Sequence, residues 1–316
     1  MRFDQLVEEY IAFKRAKGMG FTIQATTLKC FARGLGPLDV AQVDSKAALA
    51  FLYRSETVTS TWHHRYATLS GFYRYAIARE YVKSSPLPTV LPKKVGYAQP
   101  YIYSAQEIKA LLDSSKVLND RPHRRGEISV VTFRTLLLLL YGTGLRLSEA
   151  LSLTMVDVDL SDSLLTVRNT KFFKSRLVPI GKKLTAILQT YLSKRQETFG
   201  PHKSESVLFL NYKGTPLARI TAETCFRYVR QAAGLKRTDG AYHQPRLHDL
   251  RSSFAVHRLV AWYRQGADVQ RLLPQLSTYL GHVGISGTQV YLKMTPELLR
   301  EANLRFERYA GVNHAG

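Results

Sequence analysis

Apolar residues at helical spacing open the chain. Phe3, Leu6, Val7, Tyr10 and Ile11 fall on one side of a 3.6-residue repeat, which predicts a helix with that face turned inward. A second short helix is expected from about Thr26 to Arg33, ended by Gly34 and Gly36, and a third begins near Ser45. The fourth is longer, from about Ser60 to Tyr81, with Trp62, Tyr66, Leu69, Tyr73 and Ile77 as its apolar stripe. The pattern then breaks: Ser84-Ser85-Pro86-Leu87-Pro88, Pro92-Lys93-Lys94 and Gly96 through Pro100 hold too much proline and charge for regular structure. The division this predicts is a helical domain over 1–85, a linker over 86–103 and a second domain over 104–316.

The second domain should start at a capping box, Ser104-Ala105-Gln106-Glu107, opening a helix that turns Ile108, Leu111 and Leu112 inward. Phe133 to Tyr141 is a strongly apolar helix stopped by Gly142 and Gly144, and Leu147 to Leu153 begins another. Two β-rich segments follow, Leu164 to Arg168 and Arg176 to Ile180, joined by the polar stretch Thr170 to Ser175 as a hairpin. From about Thr221 the pattern is helical again. Near the end, Thr295 as N-cap, Pro296 at the first position and Glu297 in the first turn start a helix carrying Leu298, Leu299, Ala302 and Phe306 as apolar contacts. The fold class expected is mainly α with a small antiparallel β-sheet.

Charge changes the picture most. Against 24 acidic residues stand 45 Lys and Arg among 316 residues, a formal net charge of +21, and the excess runs through folded-looking segments rather than tails. A polyanion is the expected partner, and nucleic acid is the abundant one. Candidate phosphate contacts are His63, Arg65, Arg74 and Arg79, off the apolar stripe of the fourth helix, with Lys93 and Lys94 in the linker and Lys174 in the hairpin. The same residues could simply solvate those faces. Cys30 and Cys225 are the two cysteines, without His or Cys neighbours at ligand spacing, so neither a disulfide framework nor a metal site is expected. The longest apolar runs fall short of a membrane span, and Met1 to Tyr10 lacks the pattern of a signal peptide, which makes a cytoplasmic, nucleoid-associated protein the expectation.

Four further segments carry candidate chemistry. In Gly142-Thr143-Gly144-Leu145-Arg146-Leu147-Ser148-Glu149 the glycines end one helix tightly, Arg146 enters the next, and Glu149 one turn on can hold its guanidinium. An ordinary helix opening would show the same pair. Lys171 lies in the hairpin, followed by Lys174 and Arg176, which by itself is a basic turn. His248 and Arg251 are three residues apart, close enough on a helix to reach one anion. Leu280-Gly281-His282 precedes Tyr291, where a lone tyrosine would ordinarily be a packed aromatic.

Taken together and in this order, the four segments resemble the catalytic domain of the tyrosine recombinases, the integrase family. The likeness covers roughly Ser104 onward. Arg146 lies in the pattern GTGLRLSEAL, Lys171 matches the hairpin lysine, His248 and Arg251 fill H-x-x-R, His282 fills LGH, and Tyr291 follows nine residues later. The stretch from Trp262 through Leu276 is longer than the family's usual one before LGH, a form similar to recombinases carried by mobile elements.

The resemblance implies a site-specific recombinase without cofactor or metal. Arg146 and Arg251 would clamp the phosphate oxygens, helped by His282, and Glu149 would support them. Tyr291 would be the nucleophile, His248 its base and Lys171 the acid for the leaving 5′ oxygen, giving a 3′-phosphotyrosyl intermediate. Its implied partners are double-stranded DNA, further copies of the chain in a tetramer on two DNA sites, and accessory recombinases, with the first domain closing a clamp around DNA. The last helix would pack on a neighbouring copy, or fold back on its own domain. A relaxing topoisomerase and a catalytically silent DNA-binding accessory protein on the same scaffold are the alternatives.

Overall fold

Helices make up most of the chain in a computed structural model, which describes residues 1–316 apart from 55–56, 94–98, 120–127, 169–174, 202, 242, 294–295 and 310–316. The chain divides into two compact units, Met1–Tyr97 and Ala98–Gly316. The first holds α1 (Phe3–Ala16), α2 (Thr22–Leu35), α3 (Ser45–Leu52) and α4 (Ser60–Ala78). All five apolar positions read on α1 are buried, and burial of a side chain such as Phe3 contributes roughly 1.5–3 kcal/mol. Gly34 lies inside α2, and Gly36, at φ 70°, ends it. The α4 stripe is broader than the spacing suggested: Trp62, Leu69 and Tyr73 are buried together with Phe72, Tyr75 and Ala76, while Ile77 is exposed. The reason is that α4 lies against α1, α2 and α3 at once, so more than one narrow face must be apolar.

In the second unit α5 (Ala105–Ser114) opens on the expected capping box, the Ser104 hydroxyl accepting from the Glu107 amide at 3.2 Å and Glu107 accepting from the Ser104 amide at 2.8 Å. Next come α6 (Val130–Thr143) and α7 (Leu147–Ser152), then strands β1 (Val158–Asp159), β2 (Leu164–Val167) and β3 (Arg176–Pro179) in an antiparallel sheet of order β1-β2-β3, with Leu165 opposite Val178. Two residues are all that β1 has, too few to leave a periodic trace in the sequence. The helices α8 (Lys182–Phe199), α9 (Arg219–Ala232), α10 (Asp249–Arg264), α11 (Val269–Leu280), α12 (Ser286–Gln289) and α13 (Pro296–Tyr309) complete the unit. Of these α8 was not expected, because Leu184, Leu188 and Tyr191 form a narrow buried stripe between Lys, Gln, Ser and Glu.

The apolar α6 packs between α8 and α10, which explains why it is hydrophobic on nearly every side. A neighbouring cluster joins Phe254 and Leu259 of α10 to Leu273, Leu276 and Leu280 of α11, and takes in Tyr291 and Leu298. The long stretch before LGH is thus the end of α10, a turn at Gly266 (φ 70°) and the start of α11. The last helix, α13, packs on α10 of its own chain: Leu298 is buried, and Arg264 holds Glu297 at 2.6 Å and Glu301 at 2.9 Å. Leu299 and Phe306, expected as contacts, are exposed there. Among the described residues no helix is long and apolar enough to cross a membrane.

Candidate active site

The site forms where the α6–α7 turn meets the end of α11. Gly144 sits at φ 64°, and a Cβ there would come within 2.6 Å of the Phe254 ring and 2.8 Å of Leu280, so the turn excludes any side chain. That close approach aims the Gly144 carbonyl at Arg251, whose Nη1 donates to it at 2.7 Å. Two residues on, Arg146 opens α7. Its backbone amide donates to Glu149 Oε2 at 3.0 Å and its Nη1 to Oε1 at 2.7 Å, so one carboxylate caps the helix and fixes the guanidinium.

The end of α11 supplies the rest of the frame. Gly281, left-handed at φ 69°, lets the His282 amide donate back to the Ser277 carbonyl (3.0 Å) and its own amide to Thr278 (2.9 Å). Three carbonyls at the negative end of the helix are then left over, and each accepts from a different arginine. Tyr279 O accepts from Arg176 Nε at 2.8 Å, Leu280 O from Arg251 Nη2 at 2.7 Å, and Gly281 O from Arg146 Nη2 at 3.2 Å.

Arg176 was not among the residues singled out from the sequence for this site. Both of its terminal nitrogens donate to Glu149, at 3.1 and 2.8 Å, and its side chain is 9% exposed. The alternation of β3 held the signal, since Arg176 shares the inward face with Val178 while Leu177 points out. An arginine on the buried side of a strand requires an anionic partner. Burial alone would raise the Glu149 pKa, but the hydrogen bonds and charges of Arg176 and Arg146 outweigh it and hold the group at about 2. Three guanidiniums around one carboxylate leave a net charge of +2. Arg251 is 3% exposed and bonds to two neutral carbonyls; burial, then the charge of Arg146, pull its pKa down to about 10, which still leaves it protonated at neutral pH.

The remaining candidates gather beside these arginines. His282 is half-buried, its Nδ1 hydrogen-bonded to the fully buried Thr288 hydroxyl at 2.7 Å, and its ring stacks on Tyr291 at 6.0 Å between centroids. Burial first, then Arg251, Arg146 and Arg176, push its pKa down to about 4, so the ring is neutral at physiological pH. Tyr291, 8% exposed, lies in the apolar cluster of α10 and α11 and within electrostatic reach of Arg251. His248 stands at the start of α10, its carbonyl accepting from the Arg251 amide at 3.2 Å. Loss of solvent around the ring and then the charge of Arg251 shift its pKa below the usual histidine value.

The structure therefore brings Arg146, Glu149, His248, Arg251, His282 and Tyr291 together. Lys171, Lys174 and Lys94 lie outside the described residues. In the first unit Arg65 donates to the Phe51 carbonyl at 3.3 Å, Arg79 pairs with Glu9 at 3.3 Å and lies over the Tyr75 ring, and His63 packs edge-on against Trp62. Arg74, like Lys93, is exposed.

The model of the phage integrase family matches residues 103–297, a span that contains every group just described in the second unit. The chain belongs to the phage integrase family. Like other tyrosine recombinases it is similar over most of its length to curated relatives: y4rB of Sinorhizobium fredii, named as an integrase/recombinase, is 38% identical over 309 residues, 97% of each chain. The fold is that of solved integrases. The lambda integrase tetramer bound to a Holliday junction superposes with a TM-score of 0.67 at 19% identity, covering 92% of this chain and 77% of that one. The Tn1549 transposon integrase, in complex with a circular intermediate DNA, gives 0.68 at 18% identity, covering 98% and 99%. This tyrosine recombinase thus has the mainly helical architecture with a small antiparallel sheet that its sequence pattern predicted.

Proposed function

We propose that the chain cleaves and rejoins DNA at specific sites through a covalent link between Tyr291 and a backbone phosphate. The observation that carries this reading is Arg251: a buried guanidinium held by two neutral carbonyls, beside Arg146, in a site with net positive charge. A buried cation without a carboxylate of its own is costly unless an anion is meant to complete it, and a phosphodiester is the anion that a nearby phenol can attack. Family membership supports the same chemistry.

In this reaction the Tyr291 oxygen forms a bond to phosphorus while the bond to the 5′ oxygen breaks. The phenol proton passes to His248, and Lys171 gives the departing 5′ oxygen its proton. Negative charge growing on the two nonbridging oxygens is met by Arg146 and Arg251, and neutral His282, with Nδ1 committed to Thr288, offers its other ring nitrogen as a further donor. A 5′ hydroxyl from a second strand reverses the step, so the phosphoester energy is conserved and neither ATP nor a metal ion enters the scheme. The partners are double-stranded DNA and further copies of the chain, four on two sites, as in the lambda integrase tetramer on a Holliday junction. The exposed Leu299 and Phe306 of α13 suit a contact between copies. The likeness to the Tn1549 integrase supports a role in moving a mobile element, by integration or excision. The first unit, with Arg74, Lys93 and Lys94, grips the duplex.

A nicked suicide duplex made from the DNA flanking the gene tests the reading. The wild-type chain should form a covalent adduct that resists denaturation. Tyr291→Phe should bind the duplex with unchanged affinity and form none; an adduct from that variant means that another residue attacks.

A further inference from the structure

We propose that Arg176 is a positioning residue for strand cleavage, keeping Arg146 charged toward the phosphate by taking up half of Glu149. The inference rests on the reading of Tyr291 and Arg146 given above and deepens it.

The geometry is one of shared oxygens. Glu149 Oε1 accepts from Nη1 of both Arg146 and Arg176, at 2.7 and 3.1 Å, and Oε2 accepts from the Arg146 amide and from Arg176 Nη2, at 3.0 and 2.8 Å. Were Arg176 absent, Glu149 and Arg146 would be a neutral pair, and the clamp would offer the phosphate one full charge instead of two. With Arg176 present the trio keeps a net charge of +1, so part of the Arg146 charge remains for an anion. Arg176 differs from Arg146 and Arg251 in its partners: both terminal nitrogens face Glu149 and Nε faces the Tyr279 carbonyl, so its charge is set against the carboxylate.

The same side chain ties three segments together. It leaves β3, grips the first turn of α7 through Glu149 and the end of α11 through the Tyr279 carbonyl, two and three residues before Gly281 and His282. Gly281 packs flat on its guanidinium: a Cβ there would lie 2.7 Å from Arg176 Nη1. The Arg146 contact to the Gly281 carbonyl and the placement of His282 both follow from where that turn is held. A lysine could supply the charge but not three donors in one plane, so the side chain must be arginine.

The test uses the full-length chain and single-turnover cleavage of the nicked suicide duplex, with rate measured against protein concentration. Displacement of a reacting group by about 1 Å costs about 100-fold, so Arg176→Met should lower the rate at saturation by about that factor. Half-saturation should stay within about threefold, because the defect is one of the transition state and not of DNA affinity. Arg176→Lys should lie between the two. Adding Glu149→Gln to Arg176→Met should recover about tenfold, since it removes the carboxylate that neutralises Arg146; a scaffold role for Arg176 would make the second change a further loss. Should Arg176→Met melt below the assay temperature, Arg176→Lys decides, and wild-type cleavage by it overturns the proposal. So does a Met variant that cleaves within about threefold of wild type, or a double variant slower than the single one. Failure of the wild-type chain to form any adduct overturns the underlying reading and this inference with it; an adduct that depends on Tyr291 but not on Arg176 overturns this inference alone.

Discussion

Arginines meet opposite circumstances in the two units. In the first unit Arg74 on α4 is exposed, and Arg79, just past the end of that helix, is nearly half exposed and pairs with Glu9 across a surface contact. In the second unit Arg251 and Arg176 are at least nine-tenths buried, and every nitrogen named above points at a carbonyl or a carboxylate fixed by helix geometry. Charges of the first kind attract a polyanion from a distance and are screened by salt. Charges of the second kind are held in place before the reaction begins, in surroundings that strengthen their effect on a nearby oxyanion. Both kinds add to a net charge of +21, and only the second can select a transition state.

The contrast can be broken first at Arg251. Its replacement by alanine should lower the cleavage rate by about a thousandfold or more while DNA binding persists, and lysine should not restore it, because one ammonium cannot serve the Gly144 and Leu280 carbonyls as well as a phosphate. Equal losses from Arg74→Ala would erase the distinction between the two regions.

Acid should expose the fixed pair next. Glu149 has its pKa at about 2 in the folded chain against 4.5 for the ordinary group, so the folded state favours its ionised form. The stabilisation is fully present above pH 4.5 and is lost as pH falls toward 2, and the difference corresponds to about 3 kcal/mol. Urea unfolding from pH 7 to 2.5 should show this loss in the wild type and a smaller one in Glu149→Gln. Identical slopes in the two would mean that the carboxylate is not held as described.

A smaller effect is expected from Gly281→Ala. The left-handed backbone and the approach to Arg176 should together cost about 1–3 kcal/mol of stability, read by thermal or urea unfolding. Smallest is Arg79→Ala: an exposed pair with Glu9 should contribute less than about 1 kcal/mol. For Arg74→Ala, the slope of log affinity against log salt should fall by about one if that side chain meets a phosphate, with the cleavage rate at saturation unchanged.

Much of this was legible in the sequence because local rules decided it. Apolar spacing fixed α1, the Ser104 box opened α5, and glycine at residue 144 marked a turn that the packing then required. The order of Arg146, His248, Arg251, His282 and Tyr291 identified the family before any contact was known. What escaped depended on tertiary partners. The buried face of α4 follows from its three neighbours, α8 buries too narrow a stripe to stand out, and the role of Arg176 is written in a carboxylate 27 positions away. Burial likewise separates residues that look equivalent in a string: Arg251 is enclosed, whereas His248, three positions earlier, faces solvent.

The most direct test of the central claim is to digest the covalent complex formed on the suicide duplex and sequence the peptide that carries the nucleotide. The account predicts a peptide with Tyr291 joined to the 3′ phosphate of the cleaved strand and a free 5′ hydroxyl on the other end. Attachment at any other residue, or to a 5′ phosphate, would contradict it.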